Sequence, residues 1–449
     1  MPNDVKRPLR TAAALVIAAT IVACDRDDGA TTATTAGADR TTSSSGSTVP
    51  APGTVGSMPP PATSPATSPA TSLPGPTATT VQSTTATVQS TTATVQPVAP
   101  PPADQLREVA LAFEPVVDLP LLTAMASHPA DGSTFFTSQT GEVWRLAAGA
   151  TEPTLVLDLT DVVSPWENGS ERGLLGIAFG TVDGRLYLSY TDADIDSHVV
   201  SYGLDATGAP DRATEREVLF EDQPGLGHKG GGMVFTPDGA LFVALGDGGA
   251  SDGRDAQDYT TILGGVIRIV PRADGPGYDV PPDNPFVGQA DTRPEIWAKG
   301  LRNPWGLCLD APTGDIWLGD VGNHTMEEVD RIPAGAGGLN FGWYQIEGTF
   351  VRTAGARDDA VPPVHAYRHD EVGPAVIGGC VYRGTAIPGL VGAYVFADIS
   401  GPLFLIGAGD VTVPTAVRID GTPTAFGSGP DGELLVLTLF DGVQRLVAG

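Results

Sequence analysis

Six times along this chain a tight-turn pair is followed closely by a short apolar run. The pairs are Asp131-Gly132, Asp183-Gly184, Asp238-Gly239, Thr313-Gly314, Gly392-Ala393 and Asp431-Gly432. Behind them come Phe135-Phe136, Leu186-Tyr187-Leu188, Leu241-Phe242-Val243, Ile316-Trp317-Leu318, Tyr394-Val395-Phe396 and Leu434-Leu435-Val436. Such pairs suit hairpin turns, since glycine takes positive φ without the penalty that a Cβ imposes. Helical periodicity is scarce, and even Thr325 to Val329 offers only about one turn. The unevenly spaced copies predict an all-β fold, a six-bladed β-propeller with long inter-strand loops after the third and fourth blades. Two stacked β-sandwiches would show a similar rhythm. A propeller fits better because its glycine-rich loops can converge at one mouth of the central channel.

The repeating part occupies residues 105–449 of a 449-residue chain, enough to bury a large core. Ahead of it, residues 25–104 are rich in Thr, Ser, Pro and Ala. Pro-Ala-Thr-Ser recurs there, and Ser-Thr-Thr-Ala-Thr-Val-Gln occurs at 83–89 and 90–96. A segment so poor in apolar bulk cannot offset its chain entropy and reads as a disordered tether. Residues 1–24 read as a targeting segment, with Lys6, Arg7 and Arg10 before a short apolar stretch. Ile21-Val22-Ala23-Cys24 resembles a bacterial lipobox, which implies an exported protein lipidated at Cys24 and anchored to the envelope.

The net charge of −28 lies almost entirely in the repeating part, where Lys229 and Lys299 are the only lysines. That balance argues against nucleic acid and anionic membrane surfaces as partners. It suits bound calcium or plain solubility. Cys308 and Cys380 sit in apolar, strand-like runs and are expected to be buried free thiols, with a disulfide the alternative in an oxidising compartment.

Four blocks carry chemistry. The first is Glu171-Arg172-Gly173-Leu174-Leu175-Gly176, ahead of an apolar strand. The second sets Gly227-His228-Lys229-Gly230-Gly231-Gly232 before a strand and Gly246-Asp247-Gly248-Gly249 behind it. A histidine beside a loop of glycines, where backbone and ligand can approach closely, suits proton abstraction. The third is Gly300-Leu301-Arg302-Asn303-Pro304-Trp305-Gly306. The fourth runs from Gly319-Asp320-Val321-Gly322-Asn323 through Glu327-Glu328-Val329-Asp330 to Leu339-Asn340-Phe341-Gly342-Trp343. Asp252, Asp255 and Asp258 fit no calcium loop and read as a solvated turn. His324, His365 and His369 lack metal-ligand spacing.

In this order the blocks resemble the soluble glucose/sorbosone dehydrogenase family of pyrroloquinoline quinone (PQQ) enzymes, over roughly Leu121 to Val447. The resemblance implies oxidation of an aldose at its anomeric carbon, with hydride passing to the quinone and electrons leaving to an external acceptor. It implies His228 as the general base and Asp247 as the carboxylate orienting it. Arg302 and Asn303 would touch the quinone, and Arg383 would meet a cofactor carboxylate. Gly322, Asn323, Glu327 and Glu328 would hold the calcium. This chain also departs from the family pattern. Glu171, at a cofactor-binding position, stands where the best-known members carry glutamine, Val321 replaces another glutamine, and Ser400 stands where they use a basic residue. Weaker PQQ affinity, another cofactor or none stay open. So do a non-catalytic envelope-tethered propeller binding glycan or protein, and a calcium-dependent lactonase-like hydrolase.

Overall fold

The computed structural model describes residues 98–449; Cys24, the targeting segment and nearly all of the tether lie outside the described residues. Within 98–449 six sheets, antiparallel but for one parallel pair at the outer edge of the third, are arranged as a six-bladed propeller, with a separate two-stranded ribbon of Ile346–Glu347 and Phe350–Val351. The inner strands, in chain order, are Leu122–Ser127, Leu174–Phe179, Met233–Phe235, Pro304–Asp310, Val376–Val381 and Pro423–Ser428. Each predicted turn pair joins the inner strand of a blade to its second strand. Blade 6 is closed by Leu111–Val117, which pairs antiparallel with Val443–Ala448, so the first strand of the ring completes the last blade. Hydrophobic clusters fill the spaces between neighbouring blades: Phe135, Leu174 and Tyr202 share one, and Cys380, Phe426 and Leu446 another.

Inner strands run the same way, so residues just before them share one mouth with residues just after the antiparallel second strands. That geometry gathers the residues before the inner strands of blades 2 to 5 with Asp247 and Asp320. The long excursions fall inside blades 3 and 4, at 246–264, 272–295 and 333–364. Thr325 to Val329 does not form a helical turn: Met326–Ile332 is a strand bonded on both sides, to Asp315–Asp320 and to His365–Arg368.

The expectation of free thiols fails. Cys308 and Cys380 form a disulfide across 72 residues of chain, joining the inner strands of blades 4 and 5. Both strands wall the channel side by side, and their Cα atoms are 5.5 Å apart, within bridging reach. The two sequence neighbourhoods carry no hint of that adjacency.

Candidate functional site

At the mouth, His228 and Asp247 meet. His228 Nδ1 lies 2.6 Å from Asp247 Oδ1, and Trp343 Nε1 donates to Asp247 Oδ2 at 2.7 Å. The Gly249 amide donates to Oδ1 at 2.9 Å. Asp247 is 1% exposed. Burial pushes its carboxyl up, but His228, Arg302 and the Gly249 amide outweigh that and hold its pKa below the usual carboxylate value. An ionised Asp247 fixes the proton on Nδ1, which leaves Nε2 as the basic nitrogen. Close packing demands the local glycines. A Cβ at Gly246 would run into the carbonyl of His228, and one at Gly253 into the indole nitrogen of Trp343. His228 itself sits at φ 53, a strained backbone of the kind that collects at functional sites.

Two neighbours hold that backbone. Glu171 Oε2 accepts the His228 amide at 2.5 Å and Asn303 Nδ2 at 3.2 Å. The buried Lys229 donates through Nζ to the Gly225 carbonyl at 2.5 Å. Burial pushes the Lys229 pKa down to about 8.

Asp320 organises the third block. Its carboxylate accepts the backbone amides of Arg302, at 2.8 Å, and of Asn303, at 2.7 Å. Burial pushes the Asp320 pKa up to about 7. Arg302 is 5% exposed, donates to the Val321 carbonyl at 3.0 Å, and lies 5.5 Å over the Trp343 ring. A second guanidinium shares this cleft: Arg352 lies 4.2 Å over the same ring. His228, Asp247, Arg302, Asn323, Trp343 and Arg352 line the cleft together. Trp343 and Asp320 stand in the quoted blocks without an assigned role. Arg352 has no sequence signal, because only the 333–364 excursion brings it there.

Beside the cleft a larger, mostly apolar cavity opens at the channel mouth. Trp166, Trp305, Ile377, Ile399 and Leu439 line it, and among the described residues Glu171 is its only charged side chain.

Three expectations change here. Arg383 is at the other end of the disc, just past the inner strand of blade 5. There it pairs with Asp310, which ends the inner strand of blade 4, at 2.8 and 2.6 Å. It cannot meet a group bound beside His228. Asn303 does reach the mouth, but Glu171 engages its amide nitrogen and its Oδ1 is buried without a donor. Glu327 is not an open calcium ligand: it accepts His369 Nε2 at 2.5 Å, the Val376 amide at 2.8 Å and the Gly322 amide at 3.2 Å. Burial pushes its pKa up to about 7. Glu347, unassigned in the sequence reading, holds the loop of Gly322 and Asn323 by accepting four successive amides, from Asn323 to Met326.

Does such a site fit PQQ and calcium? The quinone end fits: a base with a free ring nitrogen stands beside a guanidinium able to face charge on a quinone oxygen. The carboxylate end differs from expectation, since the apolar cavity offers no lysine or arginine and the cleft offers Arg302 and Arg352. For calcium, Glu328 and Asp330 are buried close to Asp320, and neither carboxylate oxygen of Asp330 has a donor. Burial, helped by the charges of Asp330 and Asp320 at Glu328 and of Asp320 at Asp330, raises both pKa values well above normal. Among the described residues, however, no three His, Cys, Asp or Glu side chains form a group that could hold a metal ion.

The pattern of the glucose/sorbosone dehydrogenase family matches residues 120–438. The HIPL2 protein of Arabidopsis thaliana is 29% identical over 356 residues, covering 61% of this chain and 50% of that protein. The aldose sugar dehydrogenase YliI of Escherichia coli K12 is 27% identical over 341 residues, covering 70% of this chain and 86% of that one. A solved glucose dehydrogenase superposes with a TM-score of 0.63 at 25% identity, covering 75% of this chain and 99% of its own. The chain spans only 50% and 51% of the lengths of the two plant relatives it matches. Six blades, the His228–Asp247 pair at their mouth and a family pattern over 120–438 agree: the chain belongs to the glucose/sorbosone dehydrogenase family.

Proposed function

We propose that this protein oxidises an aldose at its anomeric carbon to a lactone, using PQQ as the oxidant and calcium as its partner ion. The observation that carries this reading is the 2.6 Å contact between His228 and Asp247 in a cleft that also holds Arg302. In this reading His228 Nε2 takes the proton of the anomeric hydroxyl while the C–H hydride leaves the same carbon. Asp247 keeps the imidazole in the right tautomer and stabilises the imidazolium that forms. The Trp343 indole and the Gly249 amide keep Asp247 from turning away. Arg302 lies where negative charge would develop, in a setting shielded from water, where such a contact counts for more. PQQ, when bound, supplies the electrophilic quinone that accepts the hydride. Glu328 and Asp330 are the carboxylates best suited to calcium, ahead of Glu327. We further propose export, anchoring through Cys24 and delivery of the electrons to an external acceptor.

The test adds PQQ and calcium to the purified protein and follows quinone absorbance and dye reduction with a panel of aldoses. His228→Gln should lower kcat by roughly 10²–10⁴-fold while leaving quinone binding in place. A bound quinone without turnover of any aldose would remove the substrate class. Dye reduction unaffected by His228→Gln would remove the base.

A second reading has its own observation. The apolar cavity, with a carboxylate and no cation, suits an uncharged ligand better than a tricarboxylate. A non-catalytic propeller binding neutral glycan would show sugar binding without quinone binding, and His228→Gln would leave that binding intact.

A further inference from the structure

The mouth of this propeller divides into two compartments of opposite character. Among the described residues, the apolar cavity carries Glu171 as its only charged side chain, and neither lysine nor arginine lines it. The cleft adjoining it across Glu171 and His228 carries two guanidiniums, of Arg302 and Arg352. A quinone bearing three carboxylates cannot bury them opposite Glu171 without cations to balance the desolvation. Arg383, expected to help, is held by Asp310 at the far end of the disc.

Arg352 is built for the missing role. Its guanidinium stacks 4.2 Å over the Trp343 ring, its Nη1 donates to the Tyr344 carbonyl at 2.9 Å, and its Nε lies 3.7 Å from Glu347 Oε2. Those contacts set the plane of the group, which is 25% exposed, so little conformational freedom is lost when an anion docks. Trp343 in turn donates to Asp247. The same indole therefore aligns the catalytic pair and the cation. Asp252 also lines the cleft and Glu347 stands near Arg352. Glu347 is 2% exposed and gives Oε1 to four backbone amides and Oε2 to the Nε side of Arg352, whereas Asp252 is 68% exposed and pairs with Arg254.

We infer that Arg352, on the 333–364 excursion of blade 4, is the cationic contact for a carboxylate of the bound quinone, in the role expected of Arg383. This rests on the PQQ reading above. It turns the cofactor's acidic end toward the cleft and away from the apolar cavity.

The experiment titrates PQQ, with calcium present, into the protein and its variants, following quinone absorbance and tryptophan quenching without any sugar. Arg352→Gln should weaken PQQ binding by roughly 10- to 100-fold, the loss typical of a charge-assisted hydrogen bond. It should also flatten the salt dependence of binding, and Arg352→Lys should restore part of both. Thermal unfolding of each variant separates this from a folding defect. Unchanged affinity in a folded Arg352→Gln variant overturns the assignment of Arg352 while leaving the cofactor reading intact. If the unsubstituted protein binds no PQQ at all, the cofactor reading falls, and this inference falls with it.

Discussion

Two arginines at opposite ends of neighbouring inner strands meet an aspartate each, with opposite results. At the mouth, Asp320 takes the backbone amides of Arg302 and Asn303, and the guanidinium of Arg302 lines the cleft. At the far end, Asp310 takes the guanidinium of Arg383 itself, and that arginine becomes a brace between blades 4 and 5. An acid close to an arginine therefore says little about role. What matters is which atoms of the arginine the acid occupies.

Swapping the charge at each end tests this contrast most severely. Arg302→Gln should lower kcat by roughly 10²–10³-fold with a small change in melting temperature. Arg383→Gln should leave PQQ affinity and kcat unchanged but cost about 3 kcal/mol of stability, because Asp310 is left buried without a counter-charge, with the Thr313 hydroxyl as its remaining side-chain donor. Urea unfolding and dye-reduction rates on both variants would expose any exchange of these roles.

The disulfide sharpens the same contrast, since it links the two blades that Arg383 braces. Cys308→Ser with Cys380→Ser should cost roughly 4 kcal/mol, as expected for closing a loop of this length. PQQ affinity should stay within a few-fold, since neither sulfur lines the cleft. A large loss of affinity with unchanged unfolding would invert that expectation.

A pH-dependent effect comes from Lys299, which steadies the excursion behind Asp247. Its Nζ donates to the carbonyls of Asp255, Thr261 and Leu263. Burial pushes its pKa down to about 7, against about 10.4 in an unfolded chain. Between those values the unfolded chain binds the extra proton, so this group makes stability rise with pH from about 7 to about 10. Lys299→Met should flatten that part of the stability profile. An unchanged slope would show that Lys299 does not set it.

The smallest expected change is at Glu171→Gln. Removing the charge beside the apolar cavity while keeping an acceptor for the His228 amide should raise PQQ affinity a few-fold and shift stability by less than about 1 kcal/mol. Weaker PQQ binding in that variant would mean the carboxylate helps to hold the cofactor region together.

Much of this was legible before any coordinates. Each of the six turn pairs joins inner and second strand of one blade, because hairpin turns and apolar runs are local signals. His228 and Asp247 were also readable, since one short hairpin spaces them and both ends of that hairpin face the mouth. Arg383 misled for a related reason. It follows its strand where Arg302 precedes one, and a position after an inner strand lies at the opposite end. Cys308 and Cys380 are separated by a blade's worth of chain, and their pairing follows from the side-by-side packing of blades 4 and 5. Arg352 and Glu347 lie in an excursion with no periodicity to place them.

The sequence by itself determined the number of blades, the pairing of His228 with Asp247 and the acidic character of the protein, because those depend on near neighbours and composition. Only the tertiary structure decided which arginines share the cleft, which carboxylates lack donors and which cavity carries no cation. Those are properties of loops from different blades brought to one mouth, and burial changes what each charge costs once they arrive there.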